Sequence, residues 1–422
     1  MDKLIVEGGR PLRGEVRVSG AKNAALPLMA AAILAGGPLK LTNLPDLGDL
    51  KTMGRLLTFM GGQVDLGQGA RREALLDLTQ LNKPEAPHEL VKTMRASALV
   101  LGPLLARVGR ARVSLPGGCA IGVRPIDLHL KALRAMGAVF DLSGGDIVAR
   151  APEGGLKGAE IRFETVTVTG TENLMMAAVL AKGRTVIANA AREPEVVDTG
   201  RALLAMGAKI EGLGTGTIII EGVDFLSGAT YEVTPDRIEA GTLLAAVALA
   251  GGEITLRGFP HEALATVVAK LKETGLIITP IGPDLVAKAP EVLEAADITT
   301  QPYPGFPTDM QAQFMAMMTP ARGTSVITET IFENRFMHVG ELRRLGADIA
   351  LEGRTAVVRG VSQLSGAPMT ASDLRASASL VLASLAAKGL SQIHRVYHLD
   401  RGYEGLDRKL VALGASIQRV KA

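Results

Sequence analysis

The only cysteine of the chain, Cys119, lies in a glycine-rich run, VSLPGGCAIGVRPIDLH, with Arg124 five residues further on. Glycine tolerates backbone angles that other residues avoid, so the run predicts an exposed loop rather than a packed element. A guanidinium near a thiol favours the thiolate and lowers the pKa of the thiol from its usual value of about 8.5. The pattern indicates a reactive thiol, although a lone cysteine can equally be a small buried hydrophobic residue.

Polar and charged residues also precede six segments rich in small apolar residues, which we interpret as buried helices. These residues are Lys22-Asn23, Thr93 to Arg95, Thr171 to Asn173, Asp236-Arg237, Thr308-Asp309 and Asp373 to Arg375. A helix N-terminus carries unsatisfied N–H groups and a partial positive charge, so several such ends predict an anion site. Arg124 and Arg401, in HLDRGYEG, would add further cations.

Capping is the alternative interpretation, because Thr, Asp and Asn are ordinary N-cap residues without any further function. A lysine or arginine at a helix start opposes the helix dipole, which makes Lys22, Arg95 and Arg375 more informative. Their own alternative is a structural ion pair with Asp309 or Asp373. The six histidines are scattered along the chain, so a metal site is not expected.

Composition excludes several classes of protein. A net charge of +3 and 3% aromatic residues, with no tryptophan, argue against a nucleic-acid partner. No apolar stretch approaches the ~20 residues needed to span a bilayer, so no membrane association is expected. A single cysteine excludes an internal disulfide framework and favours a reducing compartment. We therefore expect a soluble cytoplasmic protein.

A short motif with a central glycine recurs six times and organises the whole chain. Its glycines are Gly61, Gly137, Gly207, Gly275, Gly346 and Gly414, spaced 76, 70, 68, 71 and 68 residues apart. Each follows an amphipathic segment such as DLHLKALRAMGA, and glycine there is the usual left-handed stop after a helix. In phase with it, an apolar helix ending in glycine precedes a β-rich run, as in AAVLAKGRTVIANAA.

Each repeat therefore predicts strand, apolar helix, strand, amphipathic helix and one or two strands, which indicates an α/β architecture. A helix that is apolar on all sides is buried, so we expect the apolar helices inside and the sheets around them. Three repeats would form one domain. We predict one domain at 20–229 and a second formed by 1–19 together with 230–422.

The segments SGAKNAALP, LPGGCAIGVRPIDLH, FPTDMQAQF, ENRFMHV, DLRASASLVLA and HLDRGYE together resemble the UDP-N-acetylglucosamine 1-carboxyvinyltransferase family of enolpyruvyl transferases. The resemblance spans nearly the whole chain in order. It implies an inside-out α/β barrel fold with two domains of three repeats each. It also implies addition–elimination chemistry, without cofactor or metal, that transfers the enolpyruvyl group of phosphoenolpyruvate to the 3-hydroxyl of UDP-N-acetylglucosamine and releases phosphate. That reaction is the first committed step of peptidoglycan synthesis, which serves cell-wall biogenesis, cell shape and division.

The resemblance also implies roles for individual residues. Cys119 would protonate C3 of the enol and could add covalently to C2, and Asp309 would take the proton of the sugar hydroxyl. Lys22, Arg124 and Arg401 would hold the phosphate and carboxylate of phosphoenolpyruvate. The remaining implied contacts are Arg95 near phosphoenolpyruvate, Asn23 at the sugar, Arg124, Pro125, Ile126, Asp127, Leu128 and His129 on the uridine side, Ile331 near the nucleotide, Thr308 beside Asp309 in the substrate site, and Asp373 and Arg375 as support.

One segment departs from the family pattern. The family commonly reads Ser-Val-Gly-Ala-Thr at the nucleotide edge, whereas this chain has Thr167 to Thr171, with Thr165 where a lysine can stand. Uridine contacts are therefore not carried over to this segment. Two alternative functions remain: the shikimate-pathway enolpyruvyl transferase, which shares the implied fold, and a catalytically silent regulator that binds a UDP-sugar.

Overall fold

The computed structural model describes residues 2–67, 72–92, 94–114 and 126–421, with only the backbone of Arg95. The strands in these residues are β1 Asp2–Glu7, β2 Leu12–Arg17, β3 Leu39–Thr42, β4 Gln63–Leu66, β5 Glu73–Asp77, β6 Glu85–Ala86, β7 Arg110–Ser114, β8 Val139–Ser143, β9 Asp146–Arg150, β10 Glu160–Arg162, β11 Arg184–Ala188, β12 Lys209–Glu211, β13 Thr217–Glu221, β14 Ala229–Glu232, β15 Gly252–Arg257, β16 Ile277–Ile281, β17 Asp284–Lys288, β18 Ile298–Thr299, β19 Thr324–Thr328, β20 Asp348–Glu352, β21 Thr355–Arg359, β22 Pro368–Thr370, β23 Leu390–His394 and β24 Ser416–Lys421. The α-helices are α1 Lys22–Ala31, α2 Gly48–Phe59, α3 His88–Val91, α4 Leu101–Val108, α5 Asp127–Ala135, α6 Val168–Ala178, α7 Pro194–Ala205, α8 Arg237–Ala250, α9 Ala265–Glu273, α10 Gln311–Met318, α11 Val339–Arg344, α12 Leu374–Ala386, α13 Tyr397–Asp400 and α14 Leu406–Ala412.

The described chain divides into two compact units. The first unit contains the described residues of 20–234, and the second contains residues 2–19 and 235–421. This division differs from the predicted boundary at 229/230, because β14 pairs in parallel with β3 and so keeps residues 230–234 with the first unit. In the first unit the Ala21 N–H donates to the Thr234 carbonyl (2.7 Å), and in the second the Asp236 N–H donates to the Ser19 carbonyl (2.7 Å).

Each unit contains three four-stranded sheets. In strand order they are β14-β3-β5-β4, β6-β7-β9-β8 and β10-β11-β13-β12 in the first unit, and β16-β17-β15-β2, β18-β19-β21-β20 and β22-β23-β1-β24 in the second. All six share one pattern, in which one parallel pair is followed by two antiparallel pairs. The sixfold repeat predicted from the glycine motif is thereby confirmed.

Three apolar helices form the centre of each unit: α1, α4 and α6 in the first, and α8, α10 and α12 in the second. Their side chains are almost entirely buried, as expected for helices that are apolar on all sides. The close approach of α4 to α6 requires a glycine, since a Cβ on Gly102 would lie 2.2 Å from Asn173 Oδ1. The prediction of buried helices with sheets around them is confirmed in each unit.

The six motif glycines follow the helices α2, α5, α7, α9, α11 and α14. Their φ angles lie between 92° and 105°, the left-handed region that glycine enters without steric cost. The amphipathic helices thus end where the motif predicts. Within the described residues, none of the helices is long and apolar enough to cross a bilayer.

Candidate active site

Asp309 lies in the short 3₁₀ turn Thr308–Met310, immediately before α10. Its Oδ1 accepts a hydrogen bond from Arg335 (2.7 Å), and its Oδ2 accepts two from Arg375, from Nε at 3.2 Å and from a terminal nitrogen at 3.0 Å. The two guanidinium side chains are 5% and 2% exposed, whereas the Asp309 side chain is 26% exposed. Two buried cations therefore fix the position of a carboxylate that still reaches solvent.

Arg375 is held at the start of α12 by its own helix cap. Asp373 is the N-cap, and its Oδ1 accepts hydrogen bonds from the N–H groups of Arg375 (2.9 Å) and Ala376 (3.0 Å). Burial opposes the charge of Arg375, but the nearby carboxylates of Asp309 and Asp236 favour it and keep the pKa of the guanidinium above its usual range. The ion pair considered as the alternative for Arg375 is thus present with Asp309, and the cap explains how a cation is tolerated there.

The fully buried Glu329, just after β19, fixes two further predicted residues. Its carboxylate accepts hydrogen bonds from the hydroxyls of Thr300 and Thr308, both at 2.8 Å. It also accepts from the Ile331 N–H (2.8 Å) and the Phe332 N–H (3.2 Å). Thr308 and Ile331 are therefore connected through the carboxylate of Glu329. The sequence analysis missed this residue, although an acidic residue directly after a β-rich run could have pointed to it.

Replacing Glu329 by alanine is expected to destabilise the second unit by about 2–4 kcal/mol, because the change leaves several buried donors without an acceptor. Urea unfolding followed by circular dichroism measures the loss. Glu333→Ala serves as the control, since Glu333 forms only an exposed ion pair with Arg354 at 3.6 Å, and a change below about 0.5 kcal/mol is expected there. Equal effects of the two substitutions would contradict this assignment.

In the first unit, Lys22 is the first residue of α1 and is buried. Its ammonium lies 2.6 Å from the carboxylate of Asp49, in the first turn of α2, and both side chains are less than a tenth exposed. Asp49, which sequence reasoning also missed, compensates for a cation at a helix start. The neighbouring Asn23 is exposed.

His129, on α5, is buried, and its ring nitrogens have partners on α6. Asn173 donates from Nδ2 to Nδ1 of the ring (2.9 Å) and to the Ala98 carbonyl (2.9 Å), while its Oδ1 accepts from the Gly102 N–H (2.6 Å). The amide orientation of Asn173 is thereby fixed, so Nδ1 of the ring must be an acceptor and the proton lies on Nε2. That nitrogen is 3.3 Å from the hydroxyl of Thr169. The predicted uridine-side segment therefore contacts the segment that departs from the family pattern.

Burial lowers the pKa of His129 to about 4, so the folded protein holds the ring neutral. The unfolded chain protonates this ring near pH 6.5, whereas the folded chain does so only near pH 4. The contribution of His129 to stability is therefore complete above pH 6.5, and about 3 kcal/mol is lost as the pH falls to 4.

His129→Gln is expected to remove about 2 kcal/mol of the difference between the unfolding free energies at pH 7.5 and pH 5. His338 is also buried, and burial lowers its pKa to about 4, but it is present in both proteins and cancels in the comparison. Urea titrations at the two pH values provide the measurement. An unchanged pH dependence in the variant would show that the ring is not held neutral.

The other predicted residues differ in how the structure places them. Ile126 and Leu128 are partly buried against the core of the first unit, and Asp127 is exposed at the start of α5. Arg401 is half-buried and follows α13. Burial lowers the pKa of His398, and the charges of Arg395 and Arg401 lower it further. Cys119, Arg124, Pro125 and the side chain of Arg95 lie outside the described residues.

The structure brings Thr308, Asp309, Asp373 and Arg375 together with Arg335, which sequence reasoning did not single out. Arg335 lies in the ENRFMHV segment, which carried part of the family resemblance and could have pointed to it.

One prediction needs correction: Thr171 to Asn173 do not head a helix, since α6 begins at Val168 with Thr167 as its cap. Glu172 is fully buried, and burial, with Glu195 and Glu193 nearby, raises its pKa well above the usual value.

Among the side chains that the structure describes, no group of three or more His, Cys, Asp or Glu could hold a metal ion. In the second unit, a carboxylate beside two guanidiniums is suited to accepting a proton. In the first unit, a buried lysine at a helix start is suited to binding an anion.

Comparison with known proteins connects these residues to a reaction. The family model of EPSP synthase (3-phosphoshikimate 1-carboxyvinyltransferase) matches residues 6–410. A UDP-N-acetylglucosamine 1-carboxyvinyltransferase of Myxococcus xanthus is 57% identical over 422 residues, which covers 100% of both chains. A protein of the same name from Anaeromyxobacter sp. (strain K) is 58% identical over 421 residues, again with 100% of both chains covered.

Solved structures show the same fold. The enolpyruvyl transferase NikO from Streptomyces tendae superposes with a TM-score of 0.89 and 26% identity, over 100% of this chain and 99% of that one. An EPSP synthase from Acinetobacter baumannii gives a TM-score of 0.76 at 18% identity over 100% of both chains, a likeness of fold alone. The predicted two-domain α/β fold is thereby confirmed.

Proposed function

Because this chain belongs to the EPSP synthase family of enolpyruvyl transferases, we propose that it transfers the enolpyruvyl group of phosphoenolpyruvate to UDP-N-acetylglucosamine. The acceptor is the 3-hydroxyl of the sugar, and phosphate is released. The observation that carries the proposal is the identity of 57–58% over the whole chain to proteins named for this reaction. The reaction begins peptidoglycan synthesis. We propose the cytoplasm as its location, since both substrates are charged metabolites that do not cross a membrane unaided.

The cations would bind the two anionic groups of phosphoenolpyruvate. Lys22, Arg124 and Arg401 hold its phosphate and carboxylate in this proposal, with Arg95 nearby. The Lys22–Asp49 pair supports the assignment, because a buried lysine at a helix start gains from an arriving anion both through its own charge and through the adjacent N–H groups. Asn23 contacts the sugar, and residues 124–129 with Ile331 form the nucleotide end.

The proposed chemistry divides proton transfer between two residues. Asp309 takes the proton of the sugar hydroxyl while the oxygen of that hydroxyl bonds to C2 of phosphoenolpyruvate. Cys119 donates a proton to C3. In the elimination that follows, C3 gives up a proton to a basic group of the site, the C2–C3 double bond re-forms, and the bond from C2 to the phosphate oxygen breaks with its electron pair leaving on the phosphate. Support for Asp309 comes from the two guanidiniums, which hold its carboxylate in one orientation while part of it stays exposed.

A phosphate-release assay with two acceptors tests the proposal. The protein is incubated with phosphoenolpyruvate and either UDP-N-acetylglucosamine or shikimate 3-phosphate, and inorganic phosphate is measured with time. Release is expected only with the UDP-sugar. Release with shikimate 3-phosphate would favour the shikimate-pathway enzyme instead, and binding of the UDP-sugar without any release would favour a regulator.

A further inference from the structure

A buried polar cluster lies behind Asp309 in the second unit, and the proposed chemistry does not use it. Its members are Tyr403, Thr242 of α8 and Gln313 of α10, whose residues are at most 2% exposed. Tyr403 follows Arg401 by two positions in HLDRGYE. Because buried polar groups are costly unless they are hydrogen-bonded, three of them in the centre of an apolar core call for an explanation.

The hydrogen bonds of the cluster fix the direction of each proton. The Thr242 hydroxyl donates its single proton to the Ile238 carbonyl (2.7 Å), so Tyr403 must be the donor in its 3.0 Å contact with Thr242. The phenolic oxygen of Tyr403 then accepts from Gln313 Nε2 (2.9 Å). That amide also donates to the main-chain carbonyl of Asp309 (2.9 Å), which settles its orientation.

Tyr403 also contacts Arg375, which binds the carboxylate of Asp309. The guanidinium of Arg375 lies over the tyrosine ring, with 5.1 Å from Cζ to the ring centroid. Burial raises the pKa of Tyr403, which keeps the phenol neutral as the proton assignment requires. Tyr403 therefore contacts both Gln313, which binds the carbonyl of Asp309, and Arg375, which binds its carboxylate.

We propose that Tyr403 is a positioning residue for Asp309, acting through Arg375 on the carboxylate and through Gln313 on the main chain. The inference rests on the proposed function only in the role that it gives to Asp309. Misplacement of a catalytic group by a fraction of an ångström lowers the rate without removing the group. Loss of the Tyr403 hydroxyl should therefore affect the chemical step more than the binding of either substrate.

Tyr403→Phe tests this positioning role with little risk to the fold. Both hydrogen-bond partners of the hydroxyl keep another hydrogen bond, Thr242 to Ile238 and Gln313 to Asp309, and the phenylalanine ring keeps the contact with Arg375. We expect kcat of phosphate release to fall roughly tenfold, with both KM values changed by less than about twofold. Tyr397→Phe is the matched control, because Tyr397 is exposed and its hydroxyl also accepts side-chain hydrogen bonds, in this case from Arg395. An unchanged kcat in Tyr403→Phe, or a rise in KM alone, would overturn the inference.

A second measurement needs no substrate and so separates the two proposals. Urea midpoints are determined for Tyr403→Phe, Asp309→Asn and the double variant. Non-additive shifts are expected if the two residues are coupled through Arg375 and Gln313, and additive shifts for Tyr397→Phe combined with Asp309→Asn. Additive shifts for the Tyr403 pair would overturn the positioning role. Absence of phosphate release from the unsubstituted protein would instead refute the proposed function, whatever the cycle shows.

Discussion

Asp309→Asn is expected to lower kcat of phosphate release by roughly 10²–10⁴-fold, the contribution typical of a positioned general base. An amide cannot take the proton of the sugar hydroxyl. In the unsubstituted protein, Oδ1 of Asp309 accepts from Arg335 and Oδ2 accepts from Arg375. Asparagine has only one side-chain oxygen, so its NH₂ group must face one of the two guanidiniums. The measurement is steady-state phosphate release at saturating concentrations of both substrates.

Two controls keep a loss of catalysis apart from a loss of structure. Calorimetric binding of UDP-N-acetylglucosamine to Asp309→Asn should persist, since the sugar nucleotide has many other contacts in the proposal. Asp348→Asn removes a carboxylate of the same unit that forms only an exposed ion pair with Arg359 at 3.4 Å, and should leave turnover unchanged. Turnover of Asp309→Asn close to that of the unsubstituted protein would refute its role as base.

Cys119→Ala is expected to lower turnover by a similar factor of roughly 10²–10⁴, because alanine cannot donate a proton to C3. The same variant should resist inactivation by a small epoxide that alkylates thiols. Since Cys119 is the only cysteine, intact-mass measurement gives a direct result: one adduct per chain before the substitution and none after it. The prediction comes from the family resemblance and from the loop composition, as Cys119 lies outside the described residues.

Cys119→Asp separates acid chemistry from thiol chemistry. A carboxylic acid can also deliver a proton, so this variant is expected to turn over measurably while resisting the epoxide. Full activity of Cys119→Ala would remove the acid role altogether. Activity in neither variant, with UDP-N-acetylglucosamine binding retained, would indicate that the thiol itself is required.

The fold was readable from the sequence because its signals are local. A glycine that follows an amphipathic helix is recognisable from a few residues, and Gly61, Gly137 and Gly207 all take the left-handed angles that the pattern predicts. Helices rich in alanine and leucine on every side, such as α8, can be placed inside without knowing what surrounds them. Repetition of the same signals six times then gave the two-domain architecture.

The partners of the site residues were less accessible, because they are set by contacts between distant positions. Arg375 and Asp309 are 66 residues apart, and Arg335 and Asp309 are 26 apart. Sequence spacing offered an ion pair with Asp309 only as the alternative to function, whereas the structure shows that Arg375 has this pair beside the predicted base. The start of α6 was misplaced because Thr167 and Thr171 are the same residue type, so composition alone did not show which of them is the N-cap.

The hydrogen bonds where the chain passes from one unit to the other have a consequence for protein engineering. Ala21 and Thr234 are hydrogen-bonded neighbours, so residues 21–234 begin and end at the same place and could be excised as one segment. Ser19 and Asp236 are likewise neighbours, so a linker of a few residues could rejoin the remaining chain. Each unit could then be expressed as a separate polypeptide, which would make each unit accessible to isotope labelling on its own.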